Sequence, residues 1–183
     1  MKNNITYLIV LLLLCVGQVN AQKYATKSGV IDFEASVPSF EEVKAKNSSV
    51  SAILNTATGE FASLALIQGF RFKVALMEEH FNENYMESAQ YPKAIVKGSI
   101  TDFDAGRLSD TTTEFNFKGT IAIHGVTQPL ETKVNLTKLG DQMEMSTSFI
   151  LKPGDFDIKI PSIVSNKIAD EVTVTAMYTL SQK

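Results

Sequence analysis

Apolar and polar residues alternate with a period of two along most of the chain, the signature of strands that bury one face. Over Val30 to Val37, one face carries Ile31, Phe33, Ala35 and Val37. Glu114 to Ile123 alternates most cleanly, with Phe115, Phe117, Gly119, Ile121 and Ile123 on one side and Glu114, Asn116, Lys118 and Thr120 on the other. The last such segment sets Val172, Val174, Ala176, Tyr178 and Leu180 on one face. Between these, strands are predicted over Val50 to Leu54, Glu60 to Ile67, Ala94 to Thr101, Leu130 to Lys138 and Met143 to Leu151, with a short alternating piece at Gly69 to Lys73. Turns are predicted at Thr58-Gly59, at Gly140-Asp141 and over His124 to Pro129, and polar connections at Lys44 to Ser49 and Asp102 to Thr112.

Two segments leave this pattern. From Val74 to Glu87, the spacing of Val74, Met77, Phe81 and Tyr85 places them on one face of a short helix. Ile163 to Ala169, after Pro161, reads as one helical turn. Helices set between strands of a small barrel cover an open end, either as a lid over a cavity or as a plug that completes the core.

Many antiparallel strands with short connections give an all-β domain, and closing the sheet removes its exposed edges. About eight strands make a barrel wide enough for side chains or for one small ligand. A β-sandwich has nearly the same strand pattern.

The N-terminus is of a different kind. Lys2 precedes an apolar run from Ile5 to Val16, and Val19-Asn20-Ala21 offers small or short residues for cleavage after Ala21. Residues 1–21 therefore read as a secretory signal peptide, too short in its apolar core for a membrane span. Export leaves a single domain over residues 22–183, with a periplasmic location expected and full secretion open. Cys15, the only cysteine, falls within the signal core; Leu14 before it is large for a lipidation site. The exported chain then has neither disulfide nor thiolate chemistry.

A net charge of −3, more negative once Lys2 is removed, argues against nucleic-acid binding. His80 and His124 lie in different elements, and spacing assembles no third or fourth metal ligand around them. Asp102-Phe103-Asp104-Ala105-Gly106 misses calcium-loop spacing, and Asp155 with Asp157, after the Pro153-Gly154 turn, reads as a pair of alternate strand residues pointing toward water. No nucleophile elbow, phosphate loop or dinucleotide fingerprint is found. The expectation is a protein that is not an enzyme and has no cofactor.

Three stretches carry a family resemblance. EEHFNENYMESAQYPKAIVKG (residues 78–98), FKGTIAIHGVTQPLETKV (117–134) and FILKPGDFDIKIPSIVSNKIADEVTVTAMYTL (149–180) resemble the YceI-like family, a lipocalin-like group described as binding polyisoprenoids or lipids. The likeness runs from about Gly29 to Leu180, with Val96 where the family usually has an aromatic residue. The resemblance implies an eight-stranded antiparallel barrel with one or two short helices around an elongated apolar tunnel, and a long prenyl chain as guest.

Together these readings predict binding and carriage of an apolar ligand: a polyisoprenoid, a quinone or another lipid. The alternative is a filled barrel that serves as a structural or interaction module of the cell envelope. Candidate lining residues on the strand faces are Phe33, Ala35, Leu64, Phe115, Phe117, Ile121, Ile123, Phe149, Val174 and Tyr178. Near the helix the candidates are Phe70, Phe72, Met77, Phe81 and Tyr85. Arg71, Lys73 and His124 are candidates for a polar headgroup. A homodimer is left open.

Overall fold

In the computed structural model, which describes residues 23–183, the alternating segments form nine antiparallel strands. These are β1 (Lys23–Ser36), β2 (Lys44–Asn55), β3 (Glu60–Leu66), β4 (Arg71–Phe72), β5 (Lys93–Thr101), β6 (Thr113–Ile123), β7 (Val126–Leu139), β8 (Gln142–Leu151) and β9 (Ile168–Gln182). Eight are long and run in the order β1-β9-β8-β7-β6-β5-β3-β2, and β2 pairs back onto β1 to close the barrel; β4 adds two residues against β2. The signal peptide and Cys15 lie outside the described residues. Among the described residues, no helix is long and apolar enough to cross a membrane.

Local chemistry sets several of these elements. The β6–β7 turn is only His124-Gly125, both at positive φ (52° and 80°), which matches the right-handed twist of a tight hairpin. Val126 to Pro129, expected in the turn, already pairs with β6. Pro129 is tolerated because β7 is hydrogen-bonded to β8 only from Val134 onward, so that edge needs no N–H there. Gly98 of β5 lies opposite Gly119 of β6, and a Cβ on Gly119 would strike the Lys97 carbonyl. The bare glycines let the two backbones approach while the Phe117 ring covers Gly98.

The polar run Lys44 to Ser49 is strand, not connection. Ala45 and Asn47 face inward, and fully buried Asn47 is satisfied. Its Nδ2 donates to the Leu66 carbonyl at 2.9 Å, and its Oδ1 accepts from the Ser49 N–H and hydroxyl, both at 2.9 Å. Bonds of this kind let an amide replace an apolar side chain in a core.

One end of the barrel is solid. Leu54, Leu136, Met143 and Leu180, all essentially inaccessible, interlock there. Phe103 in the β5–β6 connection packs on Phe115 at 5.7 Å, and the Arg107 guanidinium lies 4.8 Å from the Phe115 ring centre. Strands β1, β3, β6 and β8 end at the opposite rim. There the chain forms α1 (Ala75–His80), a single π turn (Phe81–Tyr85) and the long β8–β9 connection with short 3₁₀ turns. The expected helix over Val74 to Glu87 is thus a short α-helix finished by a wider turn. The expected helical turn near Ile163 is the 3₁₀ turn Ser165–Lys167.

Candidate functional site

Above the solid end the side chains do not meet, and a cavity of about 370 Å³ opens toward the rim. That volume lies in the usual range for small-molecule sites. Every strand but β2 contributes inward-facing residues. Ile31, Phe33 and Ala35 come from β1, Phe117, Ile121 and Ile123 from β6, and Val172, Val174, Ala176 and Tyr178 from β9. Met145, Thr147, Phe149 and Leu151 come from β8, and Leu130, Thr132 and Val134 from β7.

The rim is roofed by an aromatic cluster. Phe81 stacks on Phe33 at 5.4 Å and meets Phe72 at 5.1 Å and Phe70 at 5.8 Å. Met77 and Tyr85 complete the inward face of the helical segment. The segment is stapled to β4 through Glu78, whose carboxylate accepts from Arg71 Nη1 at 2.9 Å and from the Phe72 N–H at 3.1 Å. Opposite, Phe156, Ile158, Ile160 and Val164 of the β8–β9 connection close the wall. Apart from the tyrosines Tyr85 and Tyr178, the titratable side chains in the lining are Glu41, His80 and Lys167.

Two lining candidates lie elsewhere. Leu64 is on the outer side of β3, because Phe61, Ser63, Ala65 and the following Ile67 hold the inward parity. Phe115 is on the inward face of β6 but too deep, buried in the solid end with Phe103. Phe33, Ala35, Phe70, Phe72, Met77, Phe81, Tyr85, Phe117, Ile121, Ile123, Phe149, Val174 and Tyr178 all border the cavity. The sequence reading missed Ser63, Met145, Thr147 and the β8–β9 connection. The parity of Met143, Met145 and Phe149 was available as a signal for β8.

The headgroup candidates are placed differently as well. Arg71 is committed to Glu78 and to the carbonyls of Gln68 and Phe70. His124 joins three connections: Nδ1 lies 3.1 Å from the Phe156 carbonyl, Nε2 lies 2.9 Å from Glu87 Oε2, and the ring packs 4.5 Å from Tyr91. Neither Arg71, Lys73 nor His124 borders the cavity; Lys167 does.

The wall has a seam between β7 and β8. The β7–β8 ladder stops at Val134–Thr147, short of the rim. Beyond it, Thr147 Oγ1 donates to the Lys133 carbonyl at 2.7 Å and Thr132 Oγ1 to the Ser148 carbonyl at 3.2 Å. Gln128 Nε2 donates to the Asp155 carbonyl at 2.7 Å. Side chains thus do there what backbone pairing does elsewhere.

A YceI-like domain model matches residues 17–180. Among solved structures, the chain is similar to a polyisoprenoid binding domain from Saccharophagus degradans implicated in plant cell wall breakdown. The TM-score is 0.77 at 16% identity, covering 89% of this chain and 99% of that one. It is also similar to BcnA of Burkholderia cenocepacia (TM-score 0.69, 15% identity, 84% and 96% covered). The YceI protein of Campylobacter jejuni follows (TM-score 0.63, 13% identity, 80% and 88% covered). No curated protein matches the chain. At these identities the solved structures speak to the fold, and the domain match speaks to descent: the chain belongs to the YceI-like family.

Proposed function

We propose that this protein binds and carries an apolar ligand, a polyisoprenoid, quinone or other lipid, inside its barrel after export to the periplasm. The observation that supports this most strongly is the cavity: 370 Å³ of space, walled by Phe, Ile, Val and Met side chains and open at one rim. Empty apolar space forfeits contacts that a hydrocarbon guest would restore. Each methylene buried there is worth about 0.8 kcal/mol, so ten carbons supply roughly 8 kcal/mol before ordering costs. The similarity to a domain described as polyisoprenoid-binding points the same way.

This is a binding role rather than an enzymatic one, since retention of hydrocarbon needs no reacting group. A filled barrel would carry its solid packing to the rim, whereas here the cavity reaches down to Phe61, Met145 and Tyr178. The test is displacement of an environment-sensitive fluorophore from the purified protein by farnesol and geranylgeraniol. Saturable competition that strengthens with chain length is expected. Absence of fluorophore uptake, with no competition by either alcohol, would sink the reading.

A further inference from the structure

Besides Tyr85 of the helical segment at the rim, four hydroxyl side chains, all on strands, reach the cavity: Ser63, Thr132, Thr147 and Tyr178. The two threonines have carbonyl acceptors across the seam, at Ser148 and Lys133. The other two have only each other. Ser63 Oγ and Tyr178 Oη lie 2.9 Å apart and reach across the lumen from β3 to β9, strands that are not neighbours. Both residues are 4% exposed. Two hydroxyls bring two protons, and one bond between them uses one. Whichever oxygen donates, the other keeps an O–H with no acceptor among the described residues.

The position of this spare donor is fixed. Tyr178 is the deepest inward residue of β9 to border the cavity, with Leu180 below it in the solid end. Its ring packs against Phe61 at 5.5 Å and occupies the space that a side chain on Gly29 would need. The pair therefore forms a polar floor under an apolar shaft. A buried donor without an acceptor is costly, and a guest that supplies an acceptor recovers the bond. Resting on the reading of the cavity as a ligand site, we infer that Ser63 and Tyr178 select an apolar chain bearing an acceptor oxygen, a carbonyl or ether, at its leading end.

Donor counting makes the test specific. Each single variant, S63A or Y178F, still leaves one free O–H at the floor; only S63A/Y178F leaves none. The probes are tridecane and tridecan-2-one, each competed against the fluorophore. The ratio of their affinities cancels any change in cavity size common to both. The double variant is expected to shift that ratio about tenfold against the ketone, the size of one recovered hydrogen bond. Each single variant is expected to keep it within about threefold of wild type. Independently of any variant, the infrared carbonyl stretch of bound tridecan-2-one should fall below its value in alkane solvent. Binding of both probes with an unchanged ratio and an unshifted stretch overturns the polar floor alone. Failure of both probes to bind overturns the cavity reading and, with it, this inference.

Discussion

Ala176→Phe tests whether the space in the barrel is real and used. Ala176 is buried on the inward face of β9, level with Ile31 on one side and Thr147 on the other, partway down the shaft. The substitution adds a six-carbon ring where the lumen is open. A ring of that size takes the place of roughly four ligand methylenes, worth about 3 kcal/mol, or about 200-fold in Kd. In a packed core the same change would cost about 1–3 kcal/mol of stability through overpacking. In an open cavity the ring gains contacts, and stability should hold or rise. The assay pairs fluorophore displacement by geranylgeraniol with urea unfolding of the same sample. Weakened binding with an undiminished unfolding midpoint is expected. Full binding, or a protein destabilised by the overpacking amount, would refute the reasoning.

Two further expectations follow from named contacts. Burial raises the Tyr178 pKa above its ordinary value near 10, against a smaller opposite effect of the Ser63 hydrogen bond. A group whose folded-state pKa is raised contributes stability below the unfolded value and loses it as pH climbs through the folded one. Wild type should therefore lose stability more steeply than Tyr178→Phe above about pH 10, while the two run parallel from pH 7 to 9; parallel decline throughout would count against a buried, neutral phenol. Gly119→Ala should cost about 3 kcal/mol in urea unfolding, because its Cβ meets the Lys97 carbonyl and the Gly98 Cα, which are backbone and cannot swing away. A loss under about 0.5 kcal/mol would show that β5 and β6 can separate locally at little cost.

How much of this the sequence disclosed varies with the element. In β1, β6 and β9 large apolar residues alternate with polar ones, so strand, inward face and barrel wall are all legible from Phe33, Ile121 or Val174. In β3 the run Phe61-Ala62-Ser63-Leu64-Ala65-Leu66 is apolar on both parities, and the large Leu64 draws attention from the true inward set. Ser63 looks like a surface position until Tyr178 is brought opposite it from 115 residues away in sequence. Alternation also says nothing of depth. Phe115 and Phe117 share a face, yet only Phe117 borders the cavity, because the floor is set by packing between distant strands. The first half of β2 was hidden for another reason: its polar Asn47 is buried through hydrogen bonds made by tertiary neighbours.

The most direct test of the central claim is native mass spectrometry of residues 22–183, purified without detergent from an exporting host, with solvent extraction of whatever co-purifies. A reproducible added mass that extracts as a prenyl or acyl compound, and that is absent from Ala176→Phe, is the predicted result. A clean apo mass that stays unchanged after incubation with prenyl alcohols and quinones would contradict it.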